Sequence, residues 1–381
     1  MRHLAKICIL SFAIIASAIA GARAQQSAAH SQAAPATSPP PSAAAAPAGP
    51  IDLRPKFAPG QTLRYQMELQ TTTIESSGGV VEDPQGPSKL VVTWDATVRV
   101  DVLPPGPLPP NALPPAGAPA AQASAAPVAL RLRMTYEKST ATVQSDGYDP
   151  AADSVRDRYE RLQGHTVEFA LDARGKVIDA SGVEDVFDSP QAARDAQSWV
   201  EQLSSGLGAP GAGAAPGLTW SSDEAATAIP LPDMTWHTDS TYLRNEPCRQ
   251  SASAAPGAAG ASSAASAAPA ANASSSAATA DTCAVVLAHI LLVAPRSAQK
   301  SAGPDAIPKP AGPAFGNMKT AGTWSGSGES LIYVSLRTGW VVSVSQTGDE
   351  AMDVTIVNEH YESIRYAGAV HSHVNLLLLP Q

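Results

Sequence analysis

His371 and His373 stand two residues apart in "AVHSHVNLLLL". On a strand such a pair shares one face and offers two imidazoles to one ion. Spacing places no third ligand beside them, and the pair reads as a solvated strand end. His165 is three residues from Glu168, a separation that sends the two to opposite faces of a strand. His237 and His289 are lone imidazoles among apolar neighbours and read as satisfied locally. Asp349 and Glu350 follow Gly348 in what reads as a polar turn. Adjacent strand side chains diverge, so these carboxylates read as solvated and not as an acid–base pair. Gly206, Gly208 and Gly211 fit G-x-G-x-x-G, but they follow a helical pattern in a Pro-rich stretch where a dinucleotide site needs a preceding strand. "GTWSGSGES" lacks G-x-S-x-G, leaving Ser325 and Ser327 as turn or strand serines. No nucleophile, base and orienter can be set in order, so the sequence names no catalytic residue, no cofactor and no metal centre, and predicts a protein that is not an enzyme.

The cysteines carry a firmer signal. Of three in the chain, Cys8 lies in an N-terminal segment that reads as a signal peptide, leaving Cys248 and Cys283 as the only possible intramolecular pair. The segment, residues 1–24, has Arg2 and Lys6 before the apolar core "ICILSFAIIASAIA", then Ala22-Arg23-Ala24 as a cleavage pattern. A periplasmic or secreted destination follows, and there a disulfide persists. Between the cysteines runs an Ala/Ser/Gly/Pro stretch, flanked by "STYLRNEP" and "AVVLAHILLV", which read as strands. The pair would clasp the base of an oversized hairpin loop.

Removing Arg2, Lys6 and Arg23 with the leader takes the net charge from −9 to −12. That balance disfavours nucleic acid and anionic membrane surfaces as partners. The longest apolar runs after the leader are strand-sized, so no membrane-spanning helix is predicted.

The elements that must position these residues are mostly strands. "QTLRYQMELQTTTIES" places Leu63, Tyr65, Met67 and Leu69 on one face, and "KLVVTWDATVRVDVL" does the same with Val92, Trp94, Ala96, Val98 and Val100. "VALRLRMTYEKSTATV" and "GHTVEFALD" continue the series, with hairpin turns at Gly175 and at Thr338-Gly339. One stretch departs from alternation: Ser189 precedes Pro190 as an N-cap, and Ala193, Ala196, Trp199 or Val200, and Leu203 recur at helical spacing. The predicted fold is mainly β (α+β), a curved antiparallel sheet or half-barrel around this one principal helix. Trp199, Val200 and Leu203 would line the space between helix and sheet. Trp94, Trp220, Trp236, Trp324 and Trp340 read as core.

Residues 25–50 read as a disordered Ala/Pro/Ser tail, and 51–381 as a single domain with low-complexity insertions at about 103–127, 207–217, 249–282 and 294–314. "FAPGQTLRYQMELQTTT", "VEFALDARGKVIDASGVEDVF", "PDMTWHTDS" and "GSGESLIYVSLRTGWVVSVSQTG" resemble an exported bacterial family of unknown function. Its nearest characterised architecture is the lipoprotein-carrier (LolA-like) half-barrel. The resemblance implies a hydrophobic cavity between sheet and helix that holds acyl chains. Two functions are expected from these readings. One is a non-enzymatic module that binds a lipid, another apolar ligand or an envelope component; the other is an envelope-associated structural or protein-interaction module with a filled core.

Overall fold

The computed structural model describes residues 51–78, 88–106, 128–146, 152–186, 196–197, 200–201, 203–204, 207–209, 213–226, 229–248, 281–294, 309–310, 318–357 and 363–380. The segments read as a leader (1–24) and a tail (25–50), Trp199, and most of the 103–127, 249–282 and 294–314 stretches lie outside them.

The strands are β1 (Thr62–Gly78), β2 (Ser88–Leu103), β3 (Leu130–Ser145), β4 (Thr166–Leu171), β5 (Val177–Ser181) and β6 (Thr219–Ala225). They continue with β7 (Thr235–Pro247), β8 (Thr282–Val293), β9 (Lys309–Pro310), β10 (Lys319–Ser335), β11 (Val341–Val357) and β12 (Ser363–Leu378). All belong to one antiparallel sheet in the order β5-β4-β3-β2-β1-β12-β11-β10-β8-β7-β6, with β9 beside β10. The sheet is curved and open, with β5 and β6 at its edges. The mainly β expectation holds at this level.

Period-two patterning explains the strands. Leu63, Tyr65, Met67 and Leu69 are buried together with Val92, Trp94, Ala96, Val98 and Val100, as their alternation requires. Both sets enter one large cluster on the same face of the sheet. Gly175 (φ 82°) and Gly339 (φ 72°) take the left-handed conformation that their turns need.

Several features depart from the sequence reading. A helix α1 (Ala152–Glu160) stands where no helix was expected, and it buries Val155 and Tyr159 one turn apart. The indole of Trp94, fully buried in β2, donates to Ser139 Oγ at 2.8 Å, and Ser139 Oγ donates to the Tyr159 carbonyl at 2.6 Å. That chain of bonds pins α1 to the sheet. A second helix, α2 (Val183–Val186), is a single turn. In the predicted principal helix, residues 196–197, 200–201 and 203–204 are helical, and Val200 is in the core.

The 207–217 stretch is more than a loop insertion. Leu207 and Ala214 are buried, Ala214 bridges Ile51, and the Trp220 indole donates to the Leu207 carbonyl at 3.0 Å. Within 294–314, Lys309–Pro310 pairs with Lys319 and Thr320 of β10.

Cys248 and Cys283 form the disulfide, with their Cα atoms 4.9 Å apart. The bond closes the open end of the β7–β8 ladder, where Glu246 faces Cys283 and the Cys248 N–H donates to the Asp281 carbonyl. The oversized hairpin expected from the two flanks is therefore present.

Candidate functional site

Among the described residues, three places are candidates for a site. The first is the space under Val200 and Leu203. Both residues face the sheet over Leu63, Tyr65, Met134 and Trp340, and the cavity left between them is about 20 Å³. That volume accommodates one water molecule. Val200 is buried and Leu203 partly so, each packed in the main core.

The second place is internal. β11 runs unbroken through Gly348, Asp349 and Glu350, where the sequence suggested a polar turn. Strand alternation therefore parts the two carboxylates: Asp349 points out and Glu350 in. Glu350 is 7% exposed, so its reading as a solvated group is corrected. Its Oε2 accepts the Trp324 indole N–H at 2.9 Å. Burial pushes its carboxyl up to about 7, against a smaller lowering by that hydrogen bond. Trp324, Trp236, Ile290, Met352 and Val354 form the apolar cluster on the same face of the sheet. Gly326 makes the arrangement fit: a Cβ there would stand 2.6 Å from Trp236 Cη2 and 3.3 Å from Glu350 Cγ.

The third place is the outer face of the sheet. His371 and His373 share a face as expected, but they lie inside β12 and not at a strand end. His371 Nδ1 pairs with Asp349 across the β11–β12 ladder. His237 Nδ1 is 2.5 Å from Asp223 Oδ1, and His289 Nδ1 is 3.4 Å from Glu329 Oε2. The two lone imidazoles of the sequence thus each have a carboxylate on a neighbouring strand. Glu168 is buried in β4, with Arg131 at 3.0 Å and Arg133 at 3.5 Å, whereas His165 is exposed just before that strand. Ser325 and Ser327 are strand serines of β10. Gly206 and Gly211 lie outside the described residues, and Gly208 sits in a turn. No group of three His, Cys, Asp or Glu side chains converges as a metal centre among the described residues.

Sequence reasoning missed Glu350 because Gly and Asp beside it imitate a turn. The signal that finds it is the longer alternation Val344, Gln346, Gly348, Glu350, Met352, Val354 in one strand. The cross-strand His–carboxylate pairs have no such signal, since register decides them.

No family model matches the chain, and no curated protein matches it. Among solved structures, an outer membrane channel from Pseudomonas putida F1 aligns over 86% of this chain and 98% of its own, at 7% identity and a TM-score of 0.19. The outer membrane protein opdK from Pseudomonas aeruginosa aligns over 84% and 98%, at 5% identity and a TM-score of 0.12. At such scores neither fold nor function transfers.

Proposed function

We propose that this protein is an exported, non-enzymatic module of the cell envelope that works through its surface, with the space between sheet and helix filled by its own side chains. One observation carries the reading: the cavity under Val200 and Leu203 is about 20 Å³. Ligand pockets are roughly 300–1,000 Å³, so a space of this size supports a filled core over an acyl-chain site. The leader at 1–24 supports export, and a disulfide fits an oxidising compartment. The acidic balance supports a neutral or basic partner over nucleic acid. Among the described residues no helix is long and apolar enough to cross a membrane.

The competing reading, suggested by the carrier-like resemblance, has a lipid under the helix. Native mass spectrometry of protein extracted gently from its own envelope separates the two. A bare protein mass is expected. In parallel, a photo-crosslinking residue at Leu291, which is 52% exposed, is expected to yield adducts with an envelope component in intact cells, while one at Val200 yields none. A lipid that co-purifies and crosslinks at Val200 would overturn the filled-core proposal.

A further inference from the structure

We propose that the outer edge of β6 is a docking site for an extended segment of an envelope protein with Lys or Arg at alternate positions, which adds to the sheet as a further strand. This rests on the reading of the protein as a module that works through its surface, and it gives that surface a place and a partner chemistry. β6 is the last strand of the sheet and, among the described residues, pairs with β7 alone. The Ala226 N–H donates to the Met234 carbonyl and the Tyr242 N–H to the Leu218 carbonyl, so the even-numbered residues of this stretch bond to β7. Alternation in an antiparallel ladder then turns the backbone N–H and C=O of Thr219, Ser221, Asp223 and Ala225 away from the sheet. All four residues are exposed to solvent.

Sheet edges are ordinarily blunted by Lys or Pro on the strand, by a bulge or by a covering element. β5, at the opposite end, is shut in this way. Its Val177 N–H donates to Glu201 Oε1 at 2.9 Å and its Ala180 N–H to Asp179 Oδ1 at 2.9 Å, and Val177, Ala180 and Ser181 are buried. β6 has neither Lys nor Pro, and its seven residues pair with β7 without a register shift. A regular, exposed edge of this kind is the template that strand addition uses.

The charge around the edge sets the partner. β6, β8 and β7 as far as Tyr242 contain no Lys or Arg, whereas Asp223, Glu224 and Asp239 lie among them. The Asp223 side chain is 67% exposed, with Oδ1 on His237 Nδ1. Asp239 lies opposite Ser221, whose small side chain leaves it open toward the edge, and strand parity puts it on the same face as Asp223. A strand laid beside β6 carries every second side chain along this face, about 5 Å from Asp223 and about 10 Å from Asp239, distances that Lys and Arg span. A second copy of this chain suits the edge less. Pairing β6 with itself about Ser222 sets the two Asp223 carboxylates diagonally across the new ladder as like charges.

The test is fluorescence anisotropy of a labelled, end-capped peptide of about seven residues, Lys alternating with Thr, against the mature, disulfide-intact protein. Saturable one-to-one binding is expected. Methylating the Lys backbone nitrogens keeps every charge but removes the donors that would meet β6, and is expected to weaken binding about tenfold or more. Ser221→Pro, which removes an outward N–H and no bond to β7, is expected to do the same. Asp223→Asn is expected to weaken binding about threefold or more. Asp349→Asn, a carboxylate 66% exposed and likewise paired with an imidazole but in a central strand, is expected to leave it unchanged. Equal melting temperatures of the peptide-free variants show that the fold is intact, and the methylated peptide tests the edge on the native protein in any case. Equal affinity for the methylated and unmethylated peptides, no saturable binding below the millimolar range, or a peptide-free dimer that Ser221→Pro dissociates would overturn the proposal. If a crosslinker at Leu291 still captures an envelope component in Ser221→Pro cells, the edge is refuted as the docking site while the surface reading stands.

Discussion

Replacing Glu350 by Gln should remove a pH dependence that the native protein carries. In the folded chain the Glu350 carboxyl titrates at about 7, against 4.5 for an unburied glutamate. Between those values the folded state holds a proton that the unfolded state has released, so stability declines as pH rises through that window. The full contribution is present below the unfolded value and is gone above the folded one. The shift is 4.5 to about 7, and at about 1.4 kcal/mol per pH unit it corresponds to about 3 kcal/mol.

Asp95, Asp179, Glu201 and Asp239 are also raised by burial, while Asp52 and Asp353 are lowered by Arg54 and Arg365. Absolute curves therefore mix several groups, and the quantity to follow is the difference between native protein and Glu350→Gln. The amide keeps a carbonyl oxygen for the Trp324 indole, so the packing is retained and any fixed cost of the substitution is independent of pH. Urea unfolding of the oxidised protein at several pH values from about 4.5 to 8 gives that difference directly. The native advantage should shrink by about 3 kcal/mol across the range and level off above it. Parallel curves, with the same slope in both proteins, would refute the placement of Glu350 as a buried acid beside Trp324.

Two further outcomes follow from packing and covalent geometry. Gly326→Ala places a methyl group 2.6 Å from the Trp236 ring, which must shift from its seat against Glu350; a loss of about 1–3 kcal/mol is expected by chemical denaturation, and an unchanged midpoint would mean that the ring does not lie there. Reducing the Cys248–Cys283 bond, which spans 35 residues, should lower stability by about 2–4 kcal/mol, and shortening the intervening Ala/Ser run to a tight turn should shrink that effect. Two titratable thiols in the air-purified, denatured protein would contradict the bond itself.

Local pattern alone determined much of this protein. Alternation in "LRYQMEL" and "VVTWDATVRV" gave the buried face of β1 and β2, because a strand side chain points one way or the other according to parity. With Cys8 read as part of a leader, Cys248 and Cys283 could pair only with each other, and turn chemistry at Gly175 and Gly339 needs a positive φ whatever surrounds it. Helix α1 stayed hidden because its nine residues are mostly charged, and the contact that holds it, Tyr159 against Trp94, is made with a strand far away in sequence. A register shift near Thr97 and Val98 moves the inward set of β3 from Leu132, Met134 and Tyr136 to Ser139 and Ala141, a change of parity that no periodic count along the chain anticipates. The same holds for the candidate sites. Glu350 is buried because β11 continues through a turn-like "TGDE", and His289 meets Asp239 and Glu329 because β8 pairs with β7 on one side and β10 on the other. Sequence determines which residues are capable of chemistry and which face they take once a strand is in register. The register itself is set by the many long-range contacts of the assembled sheet, and so the company each of these residues keeps was decided only there.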